Sequence, residues 1–431
     1  MKRVVVVGAG LAGLVTSTAL AKSGFDVTCV TFGVGGLALA LGVVDGVGTS
    51  GVRNRPGVQR LAGGPVPSTL TFGIPTPSPT TDNRHPARSR RIWPSEHPCS
   101  LIGDEAFLAG LALVKDLVGP ELLIGDPDTE VMLPTALGGW RPACLYPPSM
   151  AAGATAGDAT VIVGLKRLRD FYPELITGNR GGRAATVDVV ARAGEVASSP
   201  MAFARYFDTD EGRRALVASL RPVVEAGETV GLPAVLGLDD VTAWRKIEDA
   251  LGQPIFEIPF APPSVPGWRL NNGLVRAAGA AGVRFMRGVK AVGVEQANGR
   301  ATGVVITSAG HPTILAADAV VLATGGLKSG GIVMDDRQCF SEPVMGLPLA
   351  NIPEVPFVAD AFASQPAYLV GVRVDSAMRP LDNDGNIVCG NLHVVGGLIG
   401  GSDRVHDSTS AGIDVGSAVA AAQSIGGEYD E

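Results

Sequence analysis

The chain of 431 residues contains few cysteines, and they follow no recognisable pattern. The five cysteines stand at positions 29, 99, 144, 339 and 389, with no C-x-x-C pair among them. An odd and scattered set provides no framework for an iron–sulfur cluster, a zinc site or a disulfide network. This usage favours a reduced compartment, so we expect a cytoplasmic protein without a metal site.

Long apolar runs are missing as well, although hydrophobic residues make up 46% of the sequence. Stretches such as VVVVGAG (4–10) and DAVVLATGG (318–326) end in glycine well before the roughly 20 residues that a membrane-spanning helix requires. The apolar run at the N-terminus is also too short for a secretory signal. We therefore expect buried parallel strands rather than membrane spans.

Positive charge is in deficit, since 35 basic residues face 42 acidic ones and leave a net charge of −7. That balance argues against nucleic acid as a partner and against attachment to anionic lipid by charge alone. Glycine, in contrast, is abundant: its 58 residues are nearly twice the average usage of about 7%. The glycines stand between apolar runs, where tight turns and close backbone contacts are expected.

The most informative glycine spacing is in VVVVGAGLAGL (4–14). A strand over 4–7 leads into G-x-G-x-x-G, a helix over 14–24 and a second strand over 25–33, which together form a βαβ unit. The start of such a helix offers free N–H groups and a partial positive charge to a phosphate. We predict a dinucleotide or flavin site with contacts from Gly8, Ala9, Gly10, Leu11, Ala12 and Gly13.

The remaining pattern indicates a domain interrupted by another. We predict the first part of a flavin-binding domain over 1–157, with a polar insertion over about 62–98, and an inserted α/β domain over 158–266. The second part of the flavin-binding domain covers 267–431 and includes a β-hairpin at Asn298-Gly299. The expected fold class is α/β: a discontinuous, Rossmann-like FAD/NAD(P)-binding domain with an inserted α/β domain.

Two further buried strands end in glycines, at ATGG (323–326) and NLHVVGGLIGG (391–401), and a helix over 411–427 closes the chain. Ligands of such folds lie at the carboxyl ends of the strands. The alternative is that these turns contain glycine for steric reasons only. The candidate cofactor contacts here are Ala323, Thr324, Gly325, Gly326, Gly396, Gly397, Gly400, Gly401, Ser402 and Asp403, with Lys328 either near the cofactor or simply solvated.

The end of the second strand discriminates between cofactors. Dinucleotide sites usually place an Asp or Glu there, where it binds the ribose hydroxyls of the adenosine half. Here Thr31 and Phe32 occupy that place, and a neutral hydroxyl lacks the charge-assisted bonds of a carboxylate. FMN has no adenosine half, so the sequence favours FMN, with FAD as the alternative if other contacts hold the adenosine.

Five segments resemble the B subunit of anaerobic glycerol-3-phosphate dehydrogenase. They are HPCSLIGDEAF (97–107), VIVGLKRLRDF (161–171), PFAPPSVPGWRLNNGL (259–274), VVLATGGLKSGGIVMD (320–335) and SEPVMGLPL (341–349). The resemblance implies a three-subunit complex that oxidises sn-glycerol 3-phosphate to dihydroxyacetone phosphate and passes electrons to quinone. It implies an FMN-binding role for this chain, beside an FAD-containing A subunit and an iron–sulfur C subunit that attaches the complex to the inner face of the cell membrane.

Catalytic residues are harder to find in the sequence. Hydride removal from a secondary alcohol needs a base, often histidine, and His393 and His406 flank the last glycine cluster. Both are weak candidates against a structural role. Arg269, Arg373 and Arg404 are available for a substrate phosphate, but no spacing singles them out. Two alternatives to an electron-relaying FMN subunit stay open: a stand-alone FAD-dependent oxidoreductase and a flavin-free scaffold subunit.

Overall fold

The computed structural model describes residues 1–45, 84–86, 93–308, 310–360, 363–404, 406–407 and 409–429. Its α-helices are α1 (Leu11–Lys22), α2 (Pro98–Val118), α3 (Pro173–Arg180), α4 (Pro200–Phe207), α5 (Asp210–Leu220), α6 (Ala243–Leu251), α7 (Val265–Ala280) and α8 (Ser410–Tyr429). Within these segments, no helix has both the length and the apolar character needed to cross a bilayer.

Twenty-one strands, most of them short, complete the regular structure of the described segments. They are β1 (Arg3–Val7), β2 (Asp26–Thr31), β3 (Arg84–Pro86), β4 (Ile124–Gly125), β5 (Thr129–Pro134), β6 (Trp140–Ala143), β7 (Leu145–Tyr146), β8 (Thr160–Leu165), β9 (Arg183–Val187), β10 (Thr229–Pro233), β11 (Ile255–Ile258), β12 (Arg284–Arg287), β13 (Lys290–Ala297), β14 (Arg300–Ser308), β15 (His311–Ala316), β16 (Ala319–Leu322), β17 (Val333–Met334), β18 (Phe340–Ser341), β19 (Leu349–Ala350), β20 (Gly371–Val372) and β21 (Leu392–Val394).

The main sheet consists of five parallel strands in the order β12-β2-β1-β16-β21. Its central strand is almost entirely valine, and Val4–Val7 are all buried. Such β-branched residues suit a strand that is covered on both faces. Helix α8 packs against α1 and α2 beside this sheet. The sheet is therefore assembled from both ends of the chain, with β1 and β2 beside β16 and β21.

A second, smaller parallel sheet has the order β11-β10-β8-β9. It has a hydrophobic core of its own, in which Phe203, Phe207 and Phe256 are fully buried. A sheet assembled from both ends of the chain, with a separate α/β unit between them, confirms the predicted fold class. The exact domain boundaries after residues 157 and 266 stay predictions.

The predicted β-hairpin is confirmed. Strands β13 and β14 pair antiparallel around Asn298 and Gly299, whose φ values are 51° and 70°. Both residues have the left-handed conformation that a two-residue hairpin turn requires, and Asn-Gly favours it. Strand β15 extends this sheet on the other side of β14.

The predicted polar insertion over about 62–98 ends earlier than expected. Helix α2 begins at Pro98, where proline is compatible with a first helical turn and His97 is the cap, and Gly103, with a φ of 75°, divides it so that its long second part starts at Asp104. The polar insertion therefore does not reach 98, and Trp93 is already buried. Residues 62–83 and 87–92 of that insertion lie outside the described segments.

Helix α7 begins at Val265, capped by Ser264, so the predicted boundary at 266 falls inside its first turn. The stretch 283–297 forms two strands, because Gly288 has a φ of 70° and breaks the extended backbone. One of them, β12, joins the main sheet and the other, β13, starts the hairpin.

Candidate functional site

The glycine turn after β1 is shaped by close packing of the backbone. Gly8 has a φ of 116°, and its N–H donates to the carbonyl of Val30 at 2.8 Å. A Cβ atom at Gly8 would overlap the carbonyl of Ala323, and one at Gly13 would overlap the carbonyl of Gly8. Packing within the protein therefore explains why Gly8 and Gly13 are glycines, without any ligand.

Gly10 differs, because no atom of the described residues lies within 4 Å of the position that its Cβ would take. It stands at the N-cap of α1, where no side chain accepts a hydrogen bond and the first turn contains no acidic residue. The helix therefore begins with unsatisfied N–H groups beside open space. This arrangement fits a phosphate, which the N–H groups and the helix dipole would both attract.

The end of β2 presents no carboxylate to a ligand. The Thr31 hydroxyl donates to the carbonyl of Gly33 at 2.6 Å, and Phe32 is 73% exposed. Arg287 of β12 lies in register beside Thr31 and is exposed. A neutral hydroxyl and a guanidinium thus occupy the place where a dinucleotide site usually has an acid.

At the ends of β16 and β21, most glycines are explained by contacts between two turns. A Cβ at Gly326 would lie 2.6 Å from the Gly397 oxygen, and one at Gly397 would lie 2.8 Å from the Gly326 nitrogen. Gly400 packs in the same way against Gly371, at 2.8 Å. The steric explanation therefore suffices for these glycines, and their contact with a cofactor stays a prediction.

Other predicted contacts in these turns fall into two groups. Gly325 and Gly401 have φ values of 78° and 91°, which glycine adopts freely. Thr324 has a buried hydroxyl that finds no hydrogen-bond partner among the described residues, an arrangement that suits an atom of a bound ligand. Ala323 continues the pairing of β16 with β1 through an N–H bond to Val7 at 2.8 Å. Lys328 is exposed, with its ammonium 4.4 Å from the centre of the Tyr368 ring.

The starts of α1 and α8 converge at Gly396. A Cβ there would lie 2.7 Å from the Cβ of Ala12 in α1 and 3.1 Å from a carboxylate oxygen of Asp414 in α8. The Gly396 N–H donates to the Ser417 hydroxyl at 2.9 Å. The first turn of α1 and the first two turns of α8 thus approach Gly396, which follows β21 at the carboxyl edge of the main sheet.

The start of α8 is closed by a residue that the sequence analysis missed. Asp45 accepts hydrogen bonds from the N–H groups of Ala411 and Gly412 at 2.8 and 3.3 Å, and from Arg141 at 3.1 Å. It is 2% exposed, and burial raises its pKa to about 6 although these three partners oppose the rise. No local motif marks Asp45, because its first partner in α8 is 366 residues away.

The three candidate arginines are not gathered into a substrate site. Arg404 forms an ion pair with Asp414 at 2.7 Å and also donates to the carbonyl of Gly396. Arg269 is 4% exposed and pairs with the buried Glu257 at 2.6 Å. Arg373 is exposed and donates to the carbonyl of Asn383 at 3.4 Å. The structure thus holds two of the three in ion pairs inside the protein.

The two candidate histidines differ sharply in access. His393 lies in β21 at 0% exposure, with Nδ1 2.9 Å from the carbonyl oxygen of Ala377. Burial lowers its pKa to about 4, so it is neutral and out of reach of a substrate. His406 has an exposed ring whose Nδ1 lies 2.7 Å from Asp403, which also accepts from Ser364. Only His406 keeps the geometry of a group that could exchange protons with a ligand or solvent.

A third histidine, His97, lies close to the same turn. Its Nδ1 accepts from the Cys99 N–H at 3.1 Å, and its ring stacks on Trp93 at 3.9 Å. Its Nε2 lies 3.6 Å from Asp407, whose carboxylate is 3.4 Å from the hydroxyl of Ser402. His97 thus links the start of α2 to the predicted contact Ser402. The Pro after it signals the helix start, but nothing in the sequence signals Asp407.

Comparison with known proteins places these features in a family. A family model described as FAD binding domain matches residues 106–413. The chain is 30% identical to the probable B subunit of the anaerobic glycerol-3-phosphate dehydrogenase of Halobacterium salinarum, over 97% of this chain and 96% of that protein. It is also 30% identical to the B subunit of the Pectobacterium carotovorum enzyme, over 98% of each chain, and 26% identical to that of Yersinia enterocolitica, over 98% and 97%.

Among solved structures, the chain is similar to an open conformation of a flavocytochrome c3 fumarate reductase, with 10% identity and a TM-score of 0.45. The match covers 99% of this chain and 78% of that one. A 3-ketosteroid delta1-dehydrogenase from Sterolibacterium denitrificans gives 11% identity and a TM-score of 0.41, over 99% and 100%. Both likenesses are distant. The family is shown instead by the 30% identity to named B subunits over nearly the full length of the chain. The chain belongs to the family of anaerobic glycerol-3-phosphate dehydrogenase B subunits, an oxidoreductase family with a flavin-binding domain.

Proposed function

We propose that the chain binds FMN and relays electrons within a complex that oxidises sn-glycerol 3-phosphate to dihydroxyacetone phosphate. The observation that carries the proposal is the open start of α1, where Gly10 leaves room and no side chain of the described segments satisfies the N–H groups. A terminal phosphate of FMN would bind there. A bound flavin would supply the acceptance and release of electrons, which protein side chains do not provide.

The choice of FMN over FAD is supported by the end of β2. Thr31 is occupied by its bond to Gly33, and the neighbouring Arg287 is cationic. Neither replaces a carboxylate as an acceptor for ribose hydroxyls. FAD is the alternative cofactor, because the matching family model is that of an FAD binding domain. A stand-alone FAD-dependent oxidoreductase stays open for the same reason.

The residues proposed to hold the flavin act mainly through the backbone. Gly8–Gly13 would receive the phosphate, while the ring would lie along the ends of β16 and β21. There, Ala323–Gly326, Gly396, Gly397 and 400–403 form the wall, with Thr324 offering a free hydroxyl. His406, paired with Asp403, is the candidate for proton exchange at this wall.

The partners are proposed from the relatives' names. Those relatives are each named as one lettered subunit, which implies further subunits. We propose an FAD-containing A subunit and an iron–sulfur C subunit, with quinone as the final acceptor. Attachment to the inner face of the cell membrane would then come through a partner, and the chain itself would be cytoplasmic.

The test is to purify the chain alone and co-expressed with its neighbouring subunits, denature it, and identify any released flavin by chromatography. We expect FMN at close to one per chain, and loss of that flavin in Gly10→Val, which fills the open space. Gly178→Val is the matched control, since Gly178 also has open space around its Cβ but lies in α3. It should keep its flavin.

Two outcomes would overturn the FMN relay. Release of FAD would support an oxidoreductase that holds adenosine without an acid at residue 31. A colourless chain that still assembles with its partners would support a flavin-free scaffold. The scaffold is favoured by the turns around Gly326 and Gly397, whose glycines are explained by packing alone.

A further inference from the structure

We propose that Asp45 sets the reduction potential of the flavin, by holding a carboxylate at the start of α8 beside the flavin ring. This inference rests on the proposed flavin site. In this role Asp45 is a positioning residue that acts through charge, with no contact to the reacting atoms required.

The helices α1 and α8, which both approach Gly396, differ in what lies at the N–H groups of their first turns. The start of α1 is open, whereas the start of α8 is filled by the carboxylate of Asp45, which accepts from Ala411 and Gly412. An open helix start would present a partial positive charge to its surroundings. A carboxylate bound to it cancels that charge, so of the two converging starts only α1 attracts an anion.

The charged groups that face Asp45 come from three directions. Arg141 of β6 pairs with it at 3.1 Å, and Asp414 of α8 acts on it through space. Asp414 is itself paired with Arg404 at 2.7 Å. The buried thiol of Cys144 has its pKa raised to about 12, chiefly by burial and in part by carboxylates that include Glu130 and Asp45. Asp45 is the most buried charge of this group, so solvent screens it least.

A carboxylate close to a flavin ring opposes reduction, because reduction adds negative charge to the ring. Arg141 has the opposite sign and should favour reduction. Removing the charge of Asp45 and removing the charge of Arg141 should therefore shift the reduction potential in opposite directions. A merely structural role of either residue would not produce opposite shifts.

The experiment measures the midpoint potential of the flavin-loaded chain by spectroscopic titration against reference dyes. Asp45→Asn keeps the shape and the acceptor oxygen but removes the charge, and should make the potential more positive. Arg141→Gln should make it more negative. We expect at least a tenfold change in the reduction equilibrium for each, which is about 30 mV for a two-electron couple.

Asp208→Asn is the matched control. Asp208 also accepts backbone N–H bonds, from Leu238 and Asp240 at 2.8 and 2.9 Å, but it lies beside the second sheet. The same chemical change there should leave the potential where it is. Flavin content, measured first, separates this inference from the proposed function.

An unmoved potential in a flavin-filled Asp45→Asn chain would overturn the inference alone. If that variant fails to fold, Arg141→Gln decides: a shift to more negative potential supports the inference, and no shift overturns it. Shifts of both variants in the same direction would point to a general structural disturbance and would also overturn it. A wild-type chain without flavin would overturn the proposed function and this inference together.

Discussion

The two parallel sheets of the molecule follow the same design but differ at the edge where ligands bind. Each sheet has two neighbouring strands whose following connections run toward opposite edges of the sheet. These strands are β1 and β16 in the main sheet, and β8 and β10 in the second. Such an arrangement creates a crevice at the carboxyl ends of the strands. In the main sheet that edge has open space at Gly10, whereas in the second sheet it is filled with protein.

The edge of the second sheet is occupied by the buried ion pair of Glu257 and Arg269, whose polar atoms form hydrogen bonds within the protein. Glu257, at 0% exposure, accepts from Arg269 at 2.6 and 3.0 Å, from the Ser149 hydroxyl at 2.6 Å and from the Leu236 N–H at 2.8 Å. Arg269 also donates to the carbonyl of Gly237 at 2.7 Å. Topology thus supplies a crevice in both sheets, and side chains decide whether a ligand or the protein occupies it.

The same contacts explain the segment PPSVPGWRL (262–270), which carries much of the family resemblance. Ser264 caps α7 through the Gly267 N–H at 3.0 Å, and a Cβ at Gly267 would overlap the carbonyl of Leu37. Arg269 then reaches the second sheet. The segment therefore joins the two sheets, and its specific pattern reflects packing.

The largest effect should come from opening the filled edge. Arg269→Leu leaves Glu257 buried without its cation, which typically costs about 3–5 kcal/mol of unfolding free energy. Arg245→Leu is the control, because it breaks an exposed pair with Glu121 at 3.0 Å. Pairs of that kind contribute less than about 1 kcal/mol. Urea unfolding of both variants measures the difference, and equal losses would contradict the role assigned to the buried pair.

The buried carboxyl group of Asp45 at the start of α8 should affect how the free energy of unfolding depends on pH. Burial raises the pKa of Asp45 from 3.8 to about 6, so between these values the folded chain holds this proton more tightly than the unfolded chain. The free energy of unfolding should therefore fall as pH rises through this window. A shift of about two units corresponds to about 3 kcal/mol at most.

Asp45→Asn carries no titrating group at this position and should lack that part of the fall. Denaturant unfolding of wild type and variant across the window gives the difference directly. Parallel curves for wild type and Asp45→Asn would show that the buried carboxylate does not titrate there.

Within the open edge itself, the glycines should separate into two classes. Gly13→Ala forces a Cβ into the Gly8 carbonyl and should lower stability by about 1–3 kcal/mol, as overpacking does. Gly10→Ala meets no atom within 4 Å and should cost less than about 1 kcal/mol. Thermal unfolding of the flavin-free chains measures both. Equal losses would mean that Gly10 is also a packing residue.

How far the sequence could predict this structure depended on the range of the interactions. The βαβ unit and the Asn298-Gly299 hairpin were predictable, because both are written in consecutive residues whose conformational preferences agree with the fold. The predicted boundary at 266 falls inside α7 because Pro266 belongs to the first turn of that helix, a position that proline tolerates.

The candidate site was predictable only in part, for a physical reason. The hydrogen bonds of Asp45 to α8 and the 3.6 Å contact of His97 with Asp407 join residues that are far apart in sequence and leave no periodic signal. Likewise, the contact of Gly326 with Gly397 exists only once β16 and β21 pair, so the sequence left open whether those glycines serve a ligand or packing.

The smallest change should be the most selective one, because it alters which flavin fits and leaves the fold alone. Thr31→Glu restores an acid at the end of β2, where it could accept from ribose hydroxyls. We expect the ratio of FAD to FMN in the purified chain to rise about tenfold, or about 1.4 kcal/mol, with unchanged unfolding. Part of the gain would be lost to pairing with Arg287, which lies in register beside residue 31.

Thr28→Glu controls for the added charge, since Thr28 lies on the same strand but away from its carboxyl end. Its flavin ratio should match that of the wild type. Combining Thr31→Glu with Arg287→Gln removes the competing cation and should raise the ratio further. If the ratio of FAD to FMN stays at the wild-type value in both Thr31→Glu chains, the adenosine half is excluded by shape at Phe32 and Gly35 and not by the missing charge. The backbone is already crowded there, since a Cβ at Gly35 would lie 2.5 Å from the Cα of Gly10.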